Sequence, residues 1–302
     1  VLAGGTGGAK LARGMLDVVG PDELVVIANI GDDTDIYGAH VSPDPDLVSF
    51  WLADLIDERG WGLRDDTFAV MDALRALGHD VWFNLGDRDL AWCLERRRMQ
   101  DEGLRPTEAL ARLNAAIGVR AAVLPASDDR QPTRVRTDAG WRPFQEFMIR
   151  DRAATPVFEV AFGEPGASPA APTAEAIAAL RDARTVILGP SNPVISIWPI
   201  LHVVGDTLDG LDVPVVCVSP VVGGEIVKGP TATFLAAYEQ PVSAAGVLGF
   251  YEQARPGLIG GVVADEPVES LPALLIETAM TDTAARARVA ERVLAFALSL
   301  AL

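Results

Sequence analysis

The chain has 302 residues, 49% of them hydrophobic and 22% charged, which suits a folded globular protein and excludes disordered and collagen-like classes. Its 25 basic and 42 acidic residues leave a net charge of −17, a field that repels nucleic-acid backbones and anionic membrane surfaces. The two cysteines, Cys93 and Cys217, have no Cys-x-x-Cys spacing; this excludes a disulfide framework and a zinc knuckle, and fits a reducing cytoplasm.

Val1 opens directly on an apolar strand pattern, without the basic segment and small-residue cleavage site of a signal peptide. A glycine-rich turn follows, then a helix expected over Gly8–Val19. Next come an apolar strand at Leu24–Ala28, helices at Asp44–Asp57 and Asp66–Leu77, and a short strand at Val81–Phe83. Helices at Leu90–Asp101 and Thr107–Ala116 lead to a strand at Ala121–Leu124. The middle changes character: Thr133–Thr137, the turn Asp138–Gly140 and Trp141–Arg150 read as an antiparallel hairpin, followed by a Pro/Ala/Gly-rich stretch over Gly163–Pro172. The α/β pattern then resumes with helix Thr173–Arg181, strands Thr185–Leu188 and Val213–Val218, and helices Ser243–Gln253 and Asp282–Leu300. The apolar tract from Val289 onward contains Glu291 and Arg292 and is too short to cross a bilayer of about 30 Å, so no membrane span is expected. Several helices begin at Asp, Ser or Thr, side chains that cap exposed helix-start amides. Strands apolar on both faces, alternating with helices, predict an α/β fold. The expected architecture is a doubly wound, mainly parallel sheet: residues 1–90 and 171–302 form the core, and 91–170 an inserted α+β lobe.

Four loops carry candidate chemistry. Leu2-Ala-Gly-Gly-Thr-Gly-Gly-Ala-Lys10-Leu11 runs from strand through glycines into helix, so backbone amides and the helix start favour an anion there. It is neither the dinucleotide fingerprint, because Lys10 stands where the third glycine belongs, nor a P-loop. Only Lys10 and Lys228 of the basic residues are lysines, and both sit in or beside glycine-rich loops where a compact charge can meet a phosphate. The acidic run Asn29-Ile-Gly-Asp32-Asp33-Thr-Asp35, with Asp44 and Asp46 beyond it, offers the hard oxygens that suit Mg²⁺, although single Asp residues here equally suit helix caps and turns. In Asn84-Leu-Gly86-Asp87-Arg88-Asp89, Arg88 either clamps a phosphate or pairs with its acidic neighbours. Gly189-Pro-Ser191-Asn192-Pro193, continuing to Pro199, offers polar contacts on a stiff loop. His40, His79 and His202 have no ligand spacing, which disfavours zinc. Glu95-Arg-Arg-Arg98 reads as the solvated face of a helix.

Taken in order, Gly4–Leu11, Asn29–Asp33, Ser42-Pro-Asp-Pro-Asp46, Leu85-Gly-Asp-Arg-Asp-Leu90, Phe144-Gln-Glu146 with Arg150-Asp-Arg152, and Gly189–Pro193 make the sequence resemble the CofD/FbiA family. These are the 2-phospho-L-lactate or phosphoenolpyruvyl transferases of coenzyme F420 biosynthesis. Pro45, Leu47, Trp198 and Glu225 depart from the residues usual in that family. The resemblance implies a Rossmann-like core, Mg²⁺ and a homodimer. It also implies transfer of a three-carbon phosphoacid from a guanosine diphosphate-linked donor to the deazaflavin FO, with release of GMP. On this reading Asp33, Asp44 and Asp46 hold Mg²⁺, with Asp32 oriented behind them or acting as base; Asp32, Asp33 and Arg88 make up the catalytic group. Gly5, Thr6, Gly7 and Gly8 with Lys10, Arg88 and Lys228 hold the diphosphate. Asn29, Asp87, Ser191 and Asn192 complete the substrate contacts. Two rivals are a nucleotide-sugar-binding regulator of the gluconeogenesis-factor type and a nicotinamide-dependent dehydrogenase; the latter lacks both the third glycine and a clear ribose-binding acid.

Overall fold

Short Val/Ile/Leu runs bury both faces only when helices cover the sheet on each side, and this dictates the layering. The computed structural model describes residues 1–166, 168, 170–226 and 229–300. Its main sheet has seven parallel strands: Leu2–Ala3, Val25–Ala28, Ala122–Pro125, Val186–Leu188, Val215–Val218, Gly261–Ala264 and Ala273–Leu275. Counted along the chain, they lie in the order third, second, first, fourth, fifth, sixth, seventh, which is the doubly wound arrangement. The order reverses between the first and fourth strands, and in such sheets the crevice beyond the carboxyl ends of these strands receives ligands.

The pleat sorts the core. Leu188, Cys217 and Val262 face one layer, built with helices Ala174–Arg181, Trp198–Asp209 and Ala244–Ala254. Ile187, Val216 and Val263 face the other, where helix Gly5–Val19 packs between Pro43–Leu52 and Thr283–Ser299. Thr173, Ser243 and Asp282 cap their helices by accepting hydrogen bonds from the amides of Ala176, Gly246 and Ala285.

Two excursions leave the sheet. Between its second and third strands runs a helical lobe with the hairpin Thr34–Ile36 and Ala39–Val41, then helices Pro43–Leu52, Ala69–Ala76, Asp87–Asp101 and Pro106–Ala116, packed around Phe50, Met71, Trp92 and Cys93. Between the third and fourth lies a three-stranded antiparallel sheet of Thr133–Thr137, Gly140–Pro143 and Glu159–Phe162. The insertion is therefore cut differently from the expected 91–170: Ala122–Pro125 inside that span belongs to the main sheet, and the helical lobe begins well before residue 90. Val81–Phe83 is not a strand, and the hairpin's second arm ends at Pro143, after which Glu146–Arg150 forms a π-helical turn. The stiff loop expected over Gly189–Pro199 turns helical from Pro193 and runs into helix Trp198–Asp209, where Pro199 sits in the first turn and its missing N–H costs nothing.

Candidate active site

At the switch point the glycine turn after the first strand meets the loop after the fourth. Ser191 Oγ accepts the Gly8 amide at 2.9 Å and donates to the Gly4 carbonyl, stitching the two loops together. A Cβ on Gly7 would fall 1.8 Å from the Pro190 carbonyl oxygen, so only glycine permits this approach. Gly5 has φ of 62°, the left-handed region that glycine adopts freely. Asn192 Oδ1 accepts the amides of Val194 and Ile195 at 3.0 and 3.3 Å and caps the π-helical turn Pro193–Ile197, while its buried Nδ2 has no partner. Thr6 Oγ1 donates to the Gly60 carbonyl at 3.4 Å.

The acidic run comes to this turn. Asp44, in the first turn of helix Pro43–Leu52, accepts the Gly5 amide at 2.7 Å, so a carboxylate already sits at the start of the first helix. Asn29, wholly buried, donates Nδ2 to Asp44 Oδ2 at 2.8 Å, to Asp32 Oδ1 at 3.0 Å and to the Ile195 carbonyl at 3.2 Å. Three acceptors thus share two amide hydrogens. Burial pushes the Asp44 carboxyl up to about 6, against the Asn29 and Gly5 hydrogen bonds that lower it. Burial and the nearby Asp44 charge raise Asp32 well above the carboxylate range. Asp33 accepts from Ser42 Oγ at 2.7 Å and lies 3.4 Å from His40 Nε2; His40 Nδ1 is 2.7 Å from Asp35. Burial lowers the imidazole of His40, but the hydrogen bond and charge of Asp33 outweigh it, so His40 titrates above its ordinary value.

Asp46 is not gathered into this group. Positions 44 and 46 of a helix point about 200° apart at 3.6 residues per turn, so Asp46 turns to the opposite side. There it pairs with Arg96 and accepts Trp92 Nε1 at 2.7 Å. The expected metal set Asp33, Asp44 and Asp46 is therefore divided. Among the described residues, the group of potential ligands that does converge is Asp46, Asp89 and Cys93. Its charge is already met by the Arg96 guanidinium, and burial followed by the charge of Asp46 pushes Asp89 up to about 7.

Beside the acids opens a cleft of about 660 Å³ at the carboxyl ends of the second and third strands. Asp32, Asp33, His40 and Ser42 form one wall, Arg96, Arg97 and Arg130 a cationic rim, and Gln131, Thr133, Phe144 and Gln145 the side of the antiparallel lobe. Gln145 Nε2 donates to the Asp32 carbonyl at 2.9 Å, tying that lobe to the acidic loop. Asp32 and its neighbour Gly31, whose amide donates to Asn29 Oδ1 at 2.7 Å, thus belong both to the cleft and to the Asn29 network.

The Gly-Asp-Arg-Asp segment lies elsewhere. Asp87 caps helix Ala69–Ala76 by accepting the Ala69 and Val70 amides at 3.0 and 2.9 Å, while Asp66 caps the helix that starts at Asp87 through the amides of Arg88 and Asp89. Arg88 is exposed, donates to the Arg64 carbonyl at 3.0 Å, and does not line the cleft. Asp87 and Arg88 are accordingly corrected from substrate contacts to parts of a reciprocal capping arrangement. Asn29 and Ser191 act on protein atoms, aligning carboxylates and loops. Lys10 Nζ donates to the Met280 carbonyl at 3.2 Å and lies 5.8 Å from the Trp51 ring centroid. Lys228 lies outside the described residues. The residues that sequence reasoning missed are Gln131, Thr133, Gln145 and above all Arg96, which is 3% exposed despite its place in an arginine run. Its spacing from Trp92, Cys93 and Met99 marked the buried side of the helix.

Comparison with known proteins fits this geometry. The family profile described as 2-phospho-L-lactate transferase CofD matches residues 1–292. The chain belongs to the CofD family. It is 34% identical to the 2-phospho-L-lactate transferase of Methanocaldococcus jannaschii, over 99% of this chain and 98% of that one. It is 39% identical to the phosphoenolpyruvate transferase of Kitasatospora aureofaciens, over 98% and 96%. A solved structure of a UPF0052 family protein from Bacillus halodurans superposes with a TM-score of 0.65 at 15% identity, covering 97% of each chain, and shares the fold. As a CofD member the chain is a transferase acting on small molecules. Among the described residues no helix is long and apolar enough to cross a membrane.

Proposed function

We propose that this CofD transferase moves a phospholactyl or phosphoenolpyruvyl group from a guanosine diphosphate-linked donor to the deazaflavin FO, releasing GMP in coenzyme F420 biosynthesis. The observation that carries the reading is the meeting of Asp32 and Asp44 on one Asn29 amide, between the glycine turn and the 660 Å³ cleft. A diphosphate lying along the start of the first helix would present its distal phosphorus toward an acceptor in the cleft. Both relatives' names, lactyl and enolpyruvyl, agree with a three-carbon acid on the donor. The protein would act in the cytoplasm as a homodimer.

The residues also fit a divalent cation. Asp44 is buried and Asp32 half-buried, and both are raised in pKa and served by a single amide, the condition of carboxylates that gain from a shared positive charge. Asp32 and Asp44 would hold Mg²⁺, whose hard charge, when bound, offsets the negative charge of the diphosphate, while Asp33 is turned to Ser42 and His40. Asp46 has no place in this set, since Arg96 holds it.

The chain's own groups account for the rest. With the Gly5 and Gly8 amides given to Asp44 and Ser191, the Thr6 and Gly7 amides of the turn and the unpartnered Nδ2 of Asn192 supply donors for phosphate oxygens. Phe144 and Gln145 border the cleft that receives the flat acceptor. A terminal hydroxyl of FO attacks the distal phosphorus; the new O–P bond forms as the bridging P–O bond breaks, and GMP departs with the bridging oxygen. The hydroxyl proton departs with the GMP phosphate, the basic group that the reaction itself frees. Most of the acceleration in such a transfer comes from positioning and charge. Incubation with FO, Mg²⁺ and the lactyl and enolpyruvyl donors, followed by mass spectrometry, tests the reading. The expected result is phosphodiester product with one GMP per turnover; absence of product with both donors overturns it.

A further inference from the structure

Arg96 has no part in the chemistry above, yet it is among the most deeply buried charges of the chain, at 3% exposed. One side of its guanidinium pairs with Asp46, and Nη1 donates to the His40 carbonyl at 3.0 Å. The two partners lie on either side of Ser42: His40 lies in the second strand of the hairpin, paired with Asp35, and Asp46 sits in the helix that carries Asp44. Trp92, one turn earlier on the same helix as Arg96, donates Nε1 to the same Asp46 oxygen at 2.7 Å. Asp44 and Asp46 face opposite sides of helix Pro43–Leu52, so one end of this two-point anchor is Arg96 and the other is the Gly5 amide. Rotation of that helix about its axis would move both together.

We propose that Arg96 is a positioning residue for the transfer: by gripping Asp46 and the His40 carbonyl at once, it fixes the rotation of helix Pro43–Leu52 and thereby the aim of Asp44 at the glycine turn. The inference rests on the transferase reading for its kinetic consequence, and on geometry alone for its structural one. The planar fork is what makes two directed bonds at once; a lysine ammonium keeps the charge but not the fork. A buried ion pair replaced on both sides by apolar residues commonly keeps its stability, which separates anchoring from mere folding.

Two variants test this, Arg96→Lys and the double variant Arg96→Met/Asp46→Leu, each compared with wild type by thermal denaturation, GMP release and hydrogen–deuterium exchange of the peptide spanning residues 1–11. Expected for both are a folded protein, a kcat lowered about ten- to a hundredfold by misplaced groups with KM for FO within about threefold, and faster exchange confined to the Gly5 region. Wild-type kcat in Arg96→Lys, or turnover returning with stability in the double variant, overturns the proposal. So does unchanged exchange at Gly5, and so does failure of both variants to fold, which would assign Arg96 to stability alone. Wild type without GMP release would defeat the transferase reading instead, leaving the exchange comparison to decide the role of Arg96.

Discussion

The raised pKa of Asp44 has a measurable cost in the metal-free protein. Its carboxyl sits at about 6 in the folded chain against 3.8 when free, chiefly because burial disfavours the charge. Below 3.8 both states hold the proton and nothing is lost. Between the two values the unfolded chain releases its proton while the folded chain keeps it, so stability falls as pH rises, and the loss is complete above about 6. At about 1.4 kcal/mol per tenfold change, the whole effect is on the order of 3 kcal/mol, of which about 2 falls between pH 4.5 and 7.5. Asp32, Asp89 and His40, all raised, add to the loss in the same direction. The difference between wild type and Asp44→Asn carries the Asp44 contribution together with the part of the Asp32 rise that the Asp44 charge causes, which acts in the same direction. Urea denaturation in EDTA, followed by tryptophan fluorescence, should show wild type losing about 2 kcal/mol more than Asp44→Asn over that interval. Mg²⁺ at pH 7.5 should recover more stability in wild type than in Asp44→Asn, by mass action on the ionised carboxylates. Parallel pH curves for the two proteins would refute the reasoning, since they would mean that Asp44 bears no burial penalty.

Further outcomes follow from the contacts. Gly7→Ala places a methyl group 1.8 Å from the Pro190 carbonyl oxygen, so the two loops must separate; a loss of about 1–3 kcal/mol by denaturation, with GMP release falling together, is expected. Asp87→Ala removes the cap of helix Ala69–Ala76 and should cost about 0.5–2 kcal/mol with kcat within twofold of wild type, which distinguishes a cap from a substrate contact in steady-state assays.

Much of the fold was legible because strands such as Val186–Leu188 and Val215–Val218 are buried on both faces and read as apolar runs. The last two sheet strands escaped because Gly261–Ala264 offers only Val262 and Val263 as β-formers between a glycine and an alanine, and Ala273–Leu275 is mostly exposed at the edge. Val81–Phe83 misled for the opposite reason: its apolar side chains pack in the helical lobe without entering a ladder. In the site, the acids around Asn29 were legible, since several carboxylates follow directly on a strand end. The division between Asp44 and Asp46 follows from helix periodicity and was already contained in the expected helix Asp44–Asp57, whose 3.6-residue turn sends the two side chains to opposite sides. The reciprocal capping by Asp66 and Asp87 joins segments some twenty residues apart, and a local motif cannot tell that pairing from a phosphate clamp. Arg96 was hidden by its half-buried and exposed neighbours Arg97 and Arg98, although the helical period separates them.

The central claim is that Asp32 and Asp44 converge at the switch point to share a divalent cation beside the donor's diphosphate. Titrating Mn²⁺ into the protein with GDP, and following bound metal by electron paramagnetic resonance, tests it most directly. The account predicts one protein-dependent site per chain in wild type, weakened at least about tenfold in Asp32→Asn and Asp44→Asn, and little changed in Asp87→Ala. Equal affinity and stoichiometry in wild type and the two carboxylate variants would contradict it.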